Sequence, residues 1–301
     1  MKNIAFVPAR SRSTSIPQKN IKLFCGKPLI YWCLASLQKS QHIDSIIVAT
    51  DSNRIALTVD TFNFSKISIY RRKKENATPT SSTESVMLEY LETKHLANDD
   101  NFLLVQATSP FTTYKDFDEA LSLYNSSKSE SLLSCALVKR FFWDKNNNPI
   151  NYNPLHRPRR QDFGGSFVEN GALYINKVEN IIKYKNRLSG KINIYEMPEY
   201  TAIELDEEDD WLVGEALMKK NVLKEKYEKY IGEIKLFLSD VDGVLTDAGM
   251  YYTEQGDEFK KFSTYDGIGF KLLQKEGIKT GIITSEDRAL NQRRAEKLKL
   301  D

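Results

Sequence analysis

The chain has 301 residues, is 41% apolar and 28% charged, and carries a net charge of +2. That length accommodates one large or two ordinary domains, and the composition is that of an ordinary globular protein. The near-neutral balance excludes a global field aimed at nucleic acid or a membrane surface, so basic and acidic clusters must be read locally.

No apolar run approaches the roughly 20 residues of a membrane span. The first strand begins almost at residue 1, so no signal peptide is expected before it. The three cysteines, Cys25, Cys33 and Cys135, are too few and too scattered for a disulfide framework or a zinc site. They read as reduced thiols of a cytoplasmic protein.

In chain order, Ile4–Val7 predicts a short buried strand. A polar loop of small residues follows, carrying three cations, Arg10, Arg12 and Lys19. Small side chains let backbone N–H groups approach an anion and the cations neutralise it, which is the chemistry of a triphosphate loop. No Gly-Lys-Ser/Thr ends the loop, so it is not a Walker A loop. A helix follows from Pro28, with Leu29, Trp32, Cys33 and Leu37 on one apolar face.

Further strands are predicted at Ser45–Thr50, Ile67–Arg71, Phe102–Gln106 and Leu132–Lys139, with helices around Val86–Leu91 and Lys115–Tyr124. This β-α-β rhythm predicts an α/β fold, a doubly wound, mostly parallel, Rossmann-like sheet. Its ligands should sit at the carboxyl ends of the strands. The first loop, the Asp51-Ser52 turn, Arg71-Arg72 and Gln106-Ala107-Thr108-Ser109-Pro110 fall there. Arg71 is favoured over Arg72 because it directly follows a strand; the basic run could equally be a solvated face.

Phe141 to Phe163 breaks the rhythm with aromatics, asparagines and the cations Arg157, Arg159 and Arg160, and reads as an extended arm or lid. Strands resume at Gly171–Ile175 and Ile192–Met197. Six carboxylates then fall within positions 204–210. Glu204 and Asp206, two apart on an expected strand, would point to one face, and two such carboxylates suit Mg²⁺. Asp209 and Asp210 suit the cap of a helix from Trp211 to Tyr230, and the whole cluster could be only such a cap. A new strand, Ile234–Leu238, opens a second unit.

Together these pieces resemble the acylneuraminate cytidylyltransferases. The likeness covers about residues 1–220. It rests on Pro8-Ala9-Arg10 with Ile16-Pro17-Gln18-Lys19-Asn20, on Ala49-Thr50-Asp51, on Gln106-Ala107-Thr108-Ser109-Pro110, on Asn170-Gly171-Ala172-Leu173-Tyr174 and on Ile203-Glu204-Leu205-Asp206, in that order. The resemblance implies a nucleotidyltransferase domain at 1–222 that joins CTP to a nine-carbon 2-keto sugar acid and releases pyrophosphate. It implies catalytic roles for Arg10, Lys19 and Asp206. Nucleotide contacts would come from Ala9, Arg10, Arg12, Asn20 and Arg71, and sugar contacts from Gln106, Asn170, Tyr174 and Arg160. Mg²⁺ would lie on Glu204 and Asp206, and Phe141–Phe163 would be the arm of a homodimer. Where the family has Gly-Ser-Lys this chain has Arg12-Ser13-Thr14, so the loop departs from the pattern; Pro79, Thr112 and Glu204 depart as well. A catalytically impaired nucleotide- or sugar-binding scaffold, a sugar-acid phosphate phosphatase and a cytidylyltransferase acting on an eight-carbon acid are the alternative readings.

Residues 234–301 resemble the start of haloacid-dehalogenase-type phosphatases acting on sugar-acid phosphates. Phe237 to Asp247 is similar to their first motif and Ile282-Ile283-Thr284-Ser285 to the second. That likeness would make Asp240 the nucleophile, Asp242 the acid/base and Thr284 a phosphate ligand. The family's later lysine and acidic metal motif find no counterpart in what remains, so an incomplete second α/β unit without phosphatase activity is expected. Such phosphatases are tetrameric, which leaves open a tetramer through this segment.

Overall fold

A computed structural model describes residues 1–11, 15–78, 81–223 and 234–301. The chain divides into two compact units, Met1–Leu223 and Lys224–Asp301. No helix among the described residues is long and apolar enough to cross a membrane.

The first unit is built on strands β1 (Asn3–Pro8), β2 (Ser45–Thr50), β3 (Ile67–Arg71), β4 (Asn101–Val105), β5 (Ser131–Val138), β6 (Ser166–Lys177) and β7 (Ile192–Met197). They form one seven-stranded sheet in the order β3-β2-β1-β4-β6-β5-β7. Every pairing is parallel except those of β6, which runs antiparallel to both β4 and β5. Helices α1 (Leu29–Lys39), α2 (Asn53–Asp60), α3 (Thr83–Thr93), α4 (Tyr114–Ser126), α5 (Val178–Tyr184) and α6 (Glu208–Met218) surround it. Helix α2 was not expected. Its signals are short: Ser52 as N-cap, its hydroxyl accepting from the Ile55 N–H, and Ile55, Ala56 and Val59 on one buried face.

Both sheet faces are covered, which explains why the central strands read as apolar runs rather than alternating ones. One face packs Ala5, Val7, Val48 and Leu103 against α1 and α4 through Leu34, Leu37 and Phe117. The other packs Phe6, Phe102 and Leu104 against α3 through Val86, Met87 and Tyr90.

A third cluster lies beside the sheet. Phe24, Phe111, Leu205 and Trp211 meet there, with the Phe24 and Trp211 rings edge to face at 5.3 Å. This cluster corrects one expectation. Residues 203–206 are not a strand but an extended segment with no ladder partner. Leu205 is buried and holds the segment down, so Glu204 and Asp206 still share the opposite side. Gly214 of α6 allows this approach, because a Cβ there would stand 2.6 Å from the Leu205 side chain. Asp209 and Asp210 lie in the first turn of α6, with Glu207 as N-cap and the Asp210 carboxylate accepting from the Glu207 N–H at 2.7 Å. Helix α6 ends at Met218 and runs into a π-turn, Lys219–Leu223; the expected continuation over residues 224–230 lies outside the described residues.

The 139–165 connection is a long excursion, as expected of an arm. Phe141 stacks on Tyr152 and Phe163 at 4.3 and 4.7 Å, while Trp143, Ile150 and Leu155 stay exposed.

The second unit has strands β8 (Leu236–Asp240) and β9 (Lys279–Ile283), paired in parallel, and helices α7 (Thr264–Lys275) and α8 (Ala289–Leu298). Its core is small: Leu245, Phe270 and Leu298, with Phe262 and Ile282 against them. Replacing Leu205 by Ala should destabilise the first unit by about 2–5 kcal/mol, because the surrounding rings collapse only partly into the space left. Urea denaturation followed by tryptophan fluorescence checks this; an unchanged midpoint would mean that Leu205 does not anchor the acidic segment.

Candidate active site

At the carboxyl ends of β1, β2 and β4 the sheet opens into a cleft with two compartments. The larger, about 410 Å³, is lined by Arg10, Lys19, Asn20, Arg72 and the start of α3, among others. The smaller, about 240 Å³, is lined by Glu169, Asn170, Tyr174, Glu204 and neighbouring residues. Gln106, Thr108 and Asp206 line both, so the compartments meet there.

The first loop leaves β1 under tight control. The Ala9 N–H donates to the Ala49 carbonyl at 2.9 Å. The Ser11 N–H and hydroxyl both donate to the Asp51 carboxylate, at 2.8 and 2.6 Å. Ala9 itself is fully buried in the core; its neighbours Pro8 and Arg10 line the cleft instead. Arg12 lies outside the described residues. The loop ends in a single 3-10 turn, Lys19–Ile21, entered through Gln18 in the left-handed region at φ 53°. That turn buries Lys19 and Asn20. The Asn20 amide donates to the Arg10 carbonyl at 3.0 Å, fixing the loop's two ends to each other.

Lys19 donates to Asp206 at 2.7 Å. Its side chain is only 9% exposed, whereas that of Asp206 is 61% exposed. The carboxylate therefore neutralises the lysine and still faces the cleft. The basic pair after β3 needs a correction. Arg71, the last ladder residue, is exposed, and Arg72 lines the larger compartment. The Arg72 Nε donates to the Ala49 carbonyl at 3.0 Å. Burial lowers its pKa, against the opposing pull of Asp51 and Glu89. The N-cap of α3, Ser82, and its first residue, Thr83, border the same space. This compartment thus gathers cations and a helix N-terminus, an arrangement suited to phosphates.

The wall of the smaller compartment comes from an irregularity in β6. Between Leu133 and Cys135 the register with β6 shifts, so Asn170 to Leu173 bulge opposite Ser134. Gly171 sits in the bulge at φ +65°, and a Cβ there would stand 3.3 Å from the Gln106 side chain. Asn170 borders the cavity, but its amide is committed. It accepts from the Ser134 hydroxyl at 2.6 Å and the Ala172 N–H at 3.2 Å, and donates to Thr201 at 2.9 Å. It holds the bulge in shape rather than offering a free amide. The Tyr174 hydroxyl donates to Glu169 at 3.0 Å. Burial, then Glu169, pushes that hydroxyl up to about 12, so Tyr174 is a neutral donor. Arg160 does not reach the cleft; it is 73% exposed and stands 3.7 Å from Glu199. Glu169, Thr108 and Ser82 were not expected as site residues. Glu169 and Thr108 stand within two residues of Asn170 and Gln106, and Ser82 could have been signalled as the polar cap ahead of the α3 pattern.

Glu204 and Asp206 are the carboxylates that could hold a divalent ion. No group of three or more metal-ligating side chains occurs among the described residues. Two carboxylates beside a compartment suited to phosphates nevertheless fit Mg²⁺, which takes one or two protein ligands and fills its shell with water and phosphate oxygens.

The second unit holds its own cluster at the carboxyl ends of β8 and β9. Asp240 accepts from the Val241 N–H at 2.8 Å, and the Thr284 hydroxyl accepts from the Glu286 N–H at 3.2 Å. Lys260, 2% exposed, is paired with Asp242 at 2.7 Å and with Glu286. A lysine therefore reaches the cluster from a part of the chain where none was sought.

The family model for Cytidylyltransferase matches residues 4–238. N-acylneuraminate cytidylyltransferase A of Danio rerio is 32% identical over 91% of this chain and 64% of its own length. The N-acylneuraminate cytidylyltransferase of Oncorhynchus mykiss is 32% identical over 98% of this chain, so that match takes in the second unit. A Streptococcus agalactiae enzyme of the same name is 27% identical over 70% of this chain. The chain thus spans about two thirds of the length of the fish relatives, 64% and 68%, and 52% of the bacterial one.

Among solved structures, a CMP:2-keto-3-deoxy-manno-octonic acid synthetase complexed with CTP superposes with a TM-score of 0.54 over 74% of this chain and 100% of its own. A 4-diphosphocytidyl-2C-methyl-D-erythritol synthase from Anaerococcus prevotii gives 0.53 over 73% and 96%. At 17% and 13% identity these two show the shared fold alone. With the family match spanning most of its length and both fish relatives above 30% identity, the chain belongs to the cytidylyltransferase family.

Proposed function

We propose that the first unit transfers CMP from CTP to a nine-carbon 2-keto sugar acid of the N-acylneuraminate class, releasing pyrophosphate. The observation that carries this reading is the division of the cleft. A compartment with cations and a helix N-terminus meets a polar one at Gln106, Thr108 and Asp206. The names of the fish and bacterial relatives supply the acceptor class.

In this reading CTP occupies the larger compartment. Arg10, Lys19 and Arg72 face its phosphates and nucleoside, and Asn20 keeps the loop closed around it. The sugar acid occupies the smaller one, with Gln106 and the Tyr174 hydroxyl as orienting groups. Its anomeric hydroxyl attacks the α-phosphorus and the bond to pyrophosphate breaks. Charge grows on the phosphoryl and leaving-group oxygens, where fixed cations lower the barrier most. Mg²⁺ held by Glu204 and Asp206 would add its own positive charge there when bound. Lys19, already held by Asp206, needs no reorganisation to face that charge. The full reading is a cytoplasmic homodimer joined through the Phe141–Phe163 arm. The exposed Trp143, Ile150 and Leu155 support that role for the arm.

Residues 234–301 are read as a haloacid-dehalogenase-like segment that takes no part in the transfer. The cation nearest its acidic residues, Lys260, is engaged by Asp242 and Glu286 rather than presented to a phosphate.

Pyrophosphate release from CTP and Mg²⁺ should occur with N-acetylneuraminate or its deaminated form and not with 3-deoxy-octulosonate. Asp206→Ala should lower kcat/KM by about 100-fold or more, the usual loss when a group stabilising the transition state goes. No release with any acid from folded protein would replace this reading by a binding scaffold. In the same assay Asp240→Ala should change the rate by less than about twofold, as expected for a site apart from the chemistry. A collapse of activity in that variant would tie the second unit to the reaction.

A further inference from the structure

Helix α3 carries a buried carboxylate close to a compartment built for an anion. Glu89 is 3% exposed. It accepts from the Tyr70 hydroxyl at 2.7 Å, the Lys73 N–H at 2.8 Å and the Asn76 amide at 2.6 Å. Burial raises its pKa, but these three donors outweigh that and hold it below the usual carboxylate range. It is ionised at neutral pH, and Arg72 senses its charge.

A negative charge near a triphosphate site opposes binding, so an electrostatic role in holding the nucleotide is the wrong one for Glu89. Its partners show another. Tyr70, Lys73 and Asn76 bracket Arg72 on both sides of the chain, and Glu89 ties all three to α3. Arg72 itself is tied to the end of β2, through its N–H to the Thr50 carbonyl at 3.2 Å and its Nε to the Ala49 carbonyl. Tyr70 and Arg71 pair with Ala49 and Thr50 of β2, and among the described residues 72–76 belong to no strand ladder. The shape of this stretch is therefore set from one side by β2 and from the other by α3, where Glu89 accepts three hydrogen bonds and Thr93, Ser85 and the Tyr90 ring add a contact each.

We infer that Glu89 is a positioning residue for the nucleotide compartment: by clamping Tyr70, Lys73 and Asn76 it fixes the backbone that presents the Arg72 guanidinium to CTP. This rests on the proposed cytidylyl transfer and adds to it a group that touches neither substrate. Two pictures of Glu89 predict opposite signs. Removing a nearby negative charge while leaving Arg72 in place tightens the binding of an anion. Releasing the clamp weakens it.

Calorimetric titration of the full chain with Mg-CTP tests this, using the unsubstituted protein, Glu89→Gln, Arg72→Ala and the double variant. Glu89→Gln should weaken CTP binding by about 10-fold, and the double variant should bind no more weakly than Arg72→Ala alone, within about twofold, because both changes act through one guanidinium. The KM for the sugar acid should stay unchanged. Tyr70→Phe removes one of the three donors without changing shape and should give a smaller loss of the same sign, so the result does not depend on one buried substitution folding. Tighter or unchanged CTP binding in Glu89→Gln, or losses that add in full in the double variant, would overturn the inference. Failure of the unsubstituted protein to bind CTP would bring down the functional reading and this inference together, and is told apart because it shows before any substitution.

Discussion

Lys19 and Asp206 are 187 positions apart and 2.7 Å apart in space. That ion pair closes the cleft by joining the loop after β1 to the acidic segment before α6. A lysine this buried is unfavourable without a partner, because desolvation penalises its charge. The partner is half in water, so its own desolvation cost is small. The asymmetry has a consequence for chemistry. Asp206 can satisfy Lys19 and still turn toward a ligand, and Lys19 is held where a growing negative charge would meet it. Behind the pair, Leu205, Phe24 and Trp211 form the apolar support that fixes the acidic segment without a ladder.

The wall of the smaller compartment depends on a different constraint, the reversed strand. Because β6 runs against both neighbours, its bulge falls at the same end of the sheet as the carboxyl ends of β1, β2 and β4. Asn170 then serves the bulge. Its oxygen takes the Ser134 hydroxyl and its nitrogen reaches Thr201, so strand, bulge and the segment leading to Glu204 share one buried polar network. Such a network is stable only when every member is satisfied, and Asn170 meets that condition on both ends. The same economy holds at Glu89 across the cleft.

The sheet was legible because buried parallel strands announce themselves as short apolar runs; the predicted strands of the first 200 residues match the observed bounds within one residue, except Gly171–Ile175, which covers only part of Ser166–Lys177. Helix α2 was missed because it is eight residues long and carries its pattern on three positions. The cleft was legible in outline: Arg10, Lys19, Asn20, Gln106, Asn170, Tyr174, Glu204 and Asp206 all line it. What failed was resolution of one residue. Arg71 and Arg72 are adjacent cations at a strand end, and side chains alternate there. The ladder residue Arg71 turns to solvent and the next one turns inward, which composition does not reveal. Ala9 failed for a related reason, since an apolar residue between Pro8 and Arg10 is drawn into the core. Asn170 was located correctly, yet hydrogen-bond commitment is a property of the folded network and leaves no mark in the sequence.

The two units show how little a strand-end cluster means by itself. Both place acidic groups and a buried lysine at the carboxyl ends of parallel strands. In the first, the lysine has one carboxylate partner, and other cations and a helix N-terminus face an open compartment of about 410 Å³. In the second, Lys260 is shared between Asp242 and Glu286, so its charge is cancelled twice over. In the first arrangement cations remain to face the compartment, and in the second the lysine faces two carboxylates. Position at the ends of parallel strands is common to both clusters, so what distinguishes them is the charge left over after the internal pairs are formed.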